Sequence, residues 1–407
     1  MSLETTVPGN VLSKADNSRV LHACYVYHFL NDGIMFILPT VMGFLFRRFH
    51  LDWFEAGVVY AMNLLSMIVF QLAMGYCSDK FDQKKIMFGG MALLGGSTIL
   101  MAFSVDYYSL LLLGILLGLG FGVQHASSYS ISSRIKNEKV NRQSAAGDAG
   151  KGAAILVSTM FLFFLNGDLA WQIPFLAWGF ATIAILCVDM VWLRSYNLFP
   201  SGFVKGRQAG DGKVATETGT ITLKQILALS SFFALFMLYN AQSQVISNNL
   251  TTYFTEYKGF DIRVAPVFFV VFFLFAFLGS TSSLGLSKRI GKKRHVILNY
   301  TIFLAALLMF VFFDTRDPAS NLLFLGAIAF FSSTIYPVIL EVMSSKTPKT
   351  RLGLVFGIIM GIGWAGGFVA SLLAGYVAEA FTAQSMFLIT IVAVIISAVI
   401  AWKTRFV

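Results

Sequence analysis

Apolar runs of about twenty residues, long enough to cross the hydrocarbon of a bilayer, recur along nearly the whole of this chain. Twelve such runs are read, at 20–45, 53–77, 86–104, 108–132, 146–166, 171–194, 224–252, 264–286, 295–313, 321–343, 353–377 and 384–402. Charged residues make up only 12% of the chain, against about 25% in soluble domains, and no sizeable soluble domain fits between the runs. The chain is therefore read as an all-α integral membrane protein. The seventh run is the least regular, because its second half, from Gln242 to Thr252, is polar.

The charge pattern sets the orientation. An even number of spans puts both termini on one side, and that side carries 24 of the 30 Lys and Arg residues. The other side carries Arg47, Arg48, Lys258, Arg263 and Arg316, and Lys151 lies within a span. Positive residues concentrate in cytoplasmic loops, so both termini are expected in the cytoplasm and the protein in the plasma membrane. The net charge of +10 then reflects topology, and no nucleic-acid partner is expected. Cys24, Cys77 and Cys187 fall in or beside apolar runs and form neither a disulfide framework nor a zinc-ligand spacing. Residues 1–19 read as a cytoplasmic tail without a cleavable signal, and 403–407 as a short cytoplasmic end. The segment 195–223 is rich in glycine and polar residues and reads as a flexible linker. It separates a six-span half at 20–194 from another at 224–402.

The halves share a basic tag about half the chain apart. The first copy holds Gly75, Asp79, Lys80, Asp82, Gln83, Lys84 and Lys85; the second holds Gly285, Lys288, Arg289, Gly291, Lys292, Lys293 and Arg294. Twelve spans, a central linker and a basic tag after spans two and eight resemble the major facilitator superfamily. Within it, His28, Asn31 and Asp32 resemble the His-x-x-Asn-Asp signature of the fosmidomycin-resistance-like branch, and Gln124-His125 stands where that branch carries a histidine. Gly147, Asp148, Gly150 and Lys151 resemble a Gly-Asp-x-Gly-Lys pattern of related transporters. The resemblance implies two pseudo-symmetric six-helix halves that alternate access to a site between them. It also implies a gate in which Gly75 lets helices approach, and Asp79 with Lys80 meets the start of span eleven near Arg134. Asp148 and Glu341 are expected among the gating residues. Lys288 stands where the family carries an acid, so the second tag reads mainly as a topology anchor.

Ionisable residues inside spans are costly, by about 2.5–3.5 kcal/mol at a helix centre on insertion scales, and usually face the bundle interior. His28 and Asp32 are four apart, hence on one helical face. With His125 they are read as the proton-coupling set, since a carboxylate beside an imidazole can change charge as its exposure alternates. Two readings stay open for the histidines, proton exchange and helix packing, and two for Asp148 with Lys151, function and a local ion pair. Asn31 and Lys151 are read as substrate-binding, joined by Asn240, Gln244 and Tyr336 from spans seven and ten, where neutral hydrogen-bonding groups predominate. Pro337 is expected to loosen span ten. Glycines four apart, at 114, 118 and 122 and at 353, 357 and 361, read as close helix contacts. Trp53, Trp171 and Trp364 read as members of an interface belt.

The expected function is secondary transport of a small organic solute, proton-coupled, with efflux of an anionic or drug-like compound as one direction. Proton-linked uptake of an organic anion such as a carboxylate is the alternative, and a non-transporting membrane sensor or scaffold the third reading. No P-loop, nucleophile–base set or metal motif is present, so neither an enzyme nor a cofactor or metal is expected. The partners are a solute, protons and the bilayer, and the protein is expected to be a monomer.

Overall fold

The structure, a computed structural model, describes residues 14–78, 81–134, 152–157, 159, 171–194, 223–313, 315–346 and 352–406. Among these it is helical, with no strand. The helices are α1 (Lys14–Arg48), α2 (Trp53–Ser78), α3 (Gln83–Met101), α4 (Tyr107–Arg134), α5 (152–157), α6 (Gln172–Trp192), α7 (Leu223–Thr252), α8 (Ala265–Ile290), α9 (Lys292–Phe312), α10 (Pro318–Ser333), α11 (Ile335–Lys346), α12 (Leu352–Ala380) and α13 (Met386–Lys403). Spans eleven and twelve correspond to α12 and α13, and span ten is split into α10 and α11. Nine stretches among the described residues are long and apolar enough to cross a membrane; α3, α5 and α7 are outside that number.

Helix α7 is nonetheless continuous through its polar half. Asn240, Gln242, Ser247, Asn248, Asn249, Thr251 and Thr252 are all buried, because this half packs against α12, α13 and α1. Gln242 donates to Ser397 of α13 at 2.9 Å, and Asn249 to the carbonyl of Val245 at 2.9 Å. The polarity marks a helix surrounded by protein. After Thr252 the chain winds one wide π-type turn, Tyr253–Tyr257.

The buried apolar side chains form two clusters. One draws on residues 20–193 and the other on residues 232–406 together with Ala154. Helix α5 touches both, through Ala153 in the first and Ala154 in the second. Trp364 packs against both clusters as well, and Trp171 is buried edge-on against Phe49 and Phe175. These two tryptophans pack between helices. The outward surface carries Leu112, Val188, Val191, Phe312, Leu323 and Val392, each more than half exposed, as a lipid-facing band requires.

Local chemistry accounts for the breaks. Pro337 has no N–H for the carbonyl of Ser333 and its ring crowds that carbonyl, and span ten breaks at Thr334. The Thr334 carbonyl accepts from Ser283 Oγ of α8 at 2.5 Å and lies 3.2 Å from His295 Nε2 of α9. In the second tag Gly291 has φ 89°, a conformation that glycine alone adopts readily. The matching residue of the first tag, Asp82, has φ −61° and caps α3 by accepting from the Lys84 N–H at 3.0 Å. The glycine is absent there because that turn does not need it.

Candidate functional site

His28 and Asp32 meet on α1, with Nε2 3.4 Å from Oδ2, and Asn31 donates to the other carboxylate oxygen at 3.2 Å. His28 and Asn31 are buried and Asp32 is partly buried. Continuing at helical spacing, Met35 and Pro39 lie on the same face of α1, and both line a cavity. The cavity is small, about 20 Å³, enough for one small polar group or a water. Its walls come from α1, α2 and α4 of the first half and α7 of the second: Tyr60, Asn63 and Leu64, Leu117 and Phe121, and Gln244 and Asn248. From Asp32 to Pro39 the axial rise is about 10 Å, so a single stripe leads from an ionisable pole to a neutral pocket between the halves.

The pocket's polar groups are not equally engaged. Asn63 donates to the Gly114 carbonyl at 2.7 Å, and Asn248 to Ser371 Oγ at 3.4 Å. Tyr60 is 4% exposed and its hydroxyl has no hydrogen-bond partner among the described residues. Gln244 is partly buried and its amide makes no hydrogen bond among the described residues.

Small residues of α12 seat the polar stripe of α7. A Cβ at Gly363 would lie 2.8 Å from Asn240 Nδ2, and one at Gly367 2.8 Å from Gln244 Cγ; Ser371 is the Asn248 partner one turn further on. Beyond the pocket, at the end away from the termini, the halves close. Thr251 of α7 donates to the Pro39 carbonyl at 2.5 Å, and Arg47 pairs with Glu256 at 2.6 Å. The N–H of Trp53, which starts α2, donates to Glu379 of α12 at 3.1 Å. Trp53 therefore joins the halves through its backbone as well as standing at a helix end. Gly57 and Gly375 pass so closely that a Cβ at Gly57 would sit 2.9 Å from Gly375 Cα.

Of the residues singled out in the sequence, His28, Asn31 and Asp32 come together, and Gln244 reaches the pocket. Asn240 and Tyr336 do not line it: Asn240 donates to the Phe236 carbonyl at 2.9 Å, and Tyr336 packs with the rings of Phe236 and Tyr239 at 5.6 and 5.2 Å. Glu341 pairs with Lys292 of the second tag at 3.3 Å, so that tag makes a contact between helices α9 and α11. In the first tag, Lys84 reaches the Leu193 and Arg194 carbonyls at the end of α6, both at 3.3 Å, where a cation is favoured. Asp79, Lys80, Asp148 and Lys151 lie outside the described residues, as do the side chains of His125 and Arg134 and the surroundings of Gly75. Sequence reasoning missed Tyr60 and Asn63 in span two. It also missed Asp189, a buried acid on α6 beside Tyr27. The signal for each was a polar side chain within an apolar run.

The comparisons with known proteins agree with this architecture. A 3-(3-hydroxy-phenyl)propionate transporter of Escherichia coli (strain K12) is 25% identical over 346 residues, covering 81% of this chain and 79% of that protein. The fosmidomycin resistance protein of the same organism is 21% identical over 369 residues, covering 88% and 86%, so the likeness to that branch is distant. The crystal structure of a bacterial homolog to the human lysosomal transporter Spinster, inward-facing and unoccupied, superposes with a TM-score of 0.74 at 13% identity, covering 96% of this chain and 97% of that one. The sequence profile of the Major Facilitator Superfamily matches residues 24–331 and, overlapping them, 285–407; with the helical architecture and the pocket between its halves, this chain belongs to the Major Facilitator Superfamily of membrane transporters.

Proposed function

We propose that the protein carries a small organic anion across the plasma membrane together with a proton, by alternating access between its halves at 20–194 and 224–402. The observation that carries this reading is the His28–Asp32 pair on the α1 face that continues into the pocket between the halves. A carboxylate held against an imidazole, partly buried and beside the path, changes its protonation when its exposure changes. The closed end built by Arg47–Glu256 and Trp53–Glu379 supports one of the two end states such a cycle requires. The 24 basic residues on the termini side support cytoplasmic termini. Uptake is favoured by the likeness to a transporter of an aromatic carboxylate. Efflux is the second reading, favoured by the distant likeness to a fosmidomycin resistance protein. In this scheme the tag residues Asp79 and Lys80, with Arg134, gate the termini side.

Proteoliposomes test both parts. An imposed pH gradient should drive accumulation of an aromatic carboxylate in the wild type. Asp32→Asn should abolish that response while solute exchange persists. A mutant that still follows the gradient fully would remove Asp32 from coupling. The direction of flux in inverted and right-side-out vesicles separates uptake from efflux.

A further inference from the structure

The pocket between the halves has an unusual lining for an anion carrier. Among its described lining residues there is no Lys, Arg, His, Asp or Glu. A carboxylate entering it would lose its hydration without gaining a counter-charge from these residues, which is strongly unfavourable. The ionisable pole lies elsewhere, at His28 and Asp32, about 10 Å back along the same helical face. What the pocket does offer is neutral. Tyr60 lines it, and its buried hydroxyl has no partner among the described residues. Gln244 presents an amide that makes no hydrogen bond among the described residues. Asn248 lines the same wall, held by Ser371 through its nitrogen. Leu64, Leu117 and Phe121 supply apolar surface around them.

Buried polar groups are almost always paired, and an exception needs an explanation. Asn63 is used structurally, on the Gly114 carbonyl, whereas Tyr60 packs in the same wall without such a use. A phenol can donate and accept, and a carboxamide can do both. Together they match a hydroxyl on an apolar body, which also donates and accepts once each. We infer that this pocket is a subsite for the uncharged, hydroxyl-bearing end of the solute, and that Tyr60, with Gln244, is the residue that reads it.

The inference rests on the reading of the protein as a carrier of small organic anions, and it divides that recognition in two. The acidic end of the solute stays on the His28–Asp32 side, and the neutral end enters the pocket beneath the closed far end. Selectivity among anions is then set by the end that carries no charge. A site built to hydrogen-bond a hydroxyl discriminates against the analogue that lacks it, because its own buried groups are left unpaired.

The experiment compares two probes that differ only in the hydroxyl, 3-(3-hydroxyphenyl)propionate and 3-phenylpropionate, by equilibrium binding to the purified full-length protein. The wild type should prefer the hydroxylated acid by roughly 3- to 10-fold, the worth of one neutral hydrogen bond. Tyr60→Phe keeps the ring and its packing. It should erase that preference while leaving affinity for 3-phenylpropionate within about twofold. Gln244→Ala should narrow the preference as well, and thermal melting of both variants reports on folding. Equal binding of the two acids by the wild type, or an undiminished preference in Tyr60→Phe, overturns the subsite while leaving the carrier reading intact. If neither acid binds, the anion-carrier reading falls and the subsite falls with it.

Discussion

The backbone N–H of Trp53 donates to Oε2 of Glu379 at 3.1 Å, joining the first turn of α2 to the last turn of α12. A carboxylate from one half thus caps a helix N-terminus of the other, where a free N–H and the positive end of the helix dipole favour it. On the same helix, Asp52 and Glu55 form a reciprocal capping box, accepting at 2.6 and 3.1 Å. The clasp is therefore held at one end by a helix start that is already ordered.

Glu379→Gln should weaken this closure without unfolding the protein. An exposed charge at a helix terminus contributes about 0.3–1 kcal/mol, so the population with the far side open should rise roughly two- to fivefold. Spin labels at His50 and Thr382 would read that shift as a longer distance component. Arg47–Glu256, whose side chains are 50% and 21% exposed, should add a salt-sensitive contribution.

Two glycine substitutions should separate closure from folding. At Gly57 a Cβ meets Gly375 Cα and the Ser371 carbonyl at 2.9 Å across the halves, and the halves can part to relieve it. At Gly118 a Cβ meets Ser66 Oγ at 2.0 Å and the Asn63 carbonyl at 2.2 Å, within one half that cannot. Gly57→Ala should slow transport and favour the far-open state with little change in melting temperature. Gly118→Ala should lower stability, toward the upper end of the roughly 1–3 kcal/mol typical of overpacking. Equal melting temperatures for the two variants would refute the distinction.

The break in span ten makes a coupled prediction. Ser283→Ala removes one of the two side-chain groups at the Thr334 carbonyl, at a cost of about 0.5–1.5 kcal/mol. In a Pro337→Ala background the helix can run on through Thr334, and the effect of Ser283→Ala should shrink. A double-mutant cycle on thermal unfolding measures the coupling; additive effects would mean that the break and the serine are independent.

Two exposed caps carry a pH signature. The Ser109 N–H bonds to Asp106 at 2.8 Å and holds that carboxyl below its ordinary value of 3.8. The Ser320 hydroxyl and N–H do the same for Asp317, at 2.6 and 2.8 Å. A carboxyl depressed in the folded state contributes stability that is fully present above its unfolded value. That contribution is lost as pH falls through the lower folded value. Hydrogen exchange at Ser109 and Ser320, corrected for intrinsic rates, should stay protected at about pH 5 and above and lose protection only below roughly pH 4. Protection that falls already near neutral pH would contradict the assignment.

Much of the fold was legible along the chain because a bilayer judges each segment locally, by length and hydropathy. The polar half of α7 resisted that reading for the same reason. Gln242, Asn248 and Thr251 find partners on α13, α12 and α1, which a one-dimensional window does not see. The ionisable pole was also legible, since His28 and Asp32 are one turn apart on a single helix and their meeting needs no tertiary information. Asn240 and Tyr336 stand outside the described pocket lining, because polarity in a span shows that a residue avoids lipid without saying which interior surface it faces.

The sequence by itself determined that the chain crosses a membrane in two related halves, where its positive loops lie, and that His28 and Asp32 lie on one helical face within the first half. Those are sums over neighbours in the chain. Only the tertiary structure decided that Tyr60 of one half and Gln244 of the other wall the same pocket, that Gly57 passes against Gly375, and that the far end is shut. Such pairings depend on how helices distant in sequence pack side by side. That packing is set by shape and by the pairing of buried polar groups, and hydropathy along the chain does not encode it.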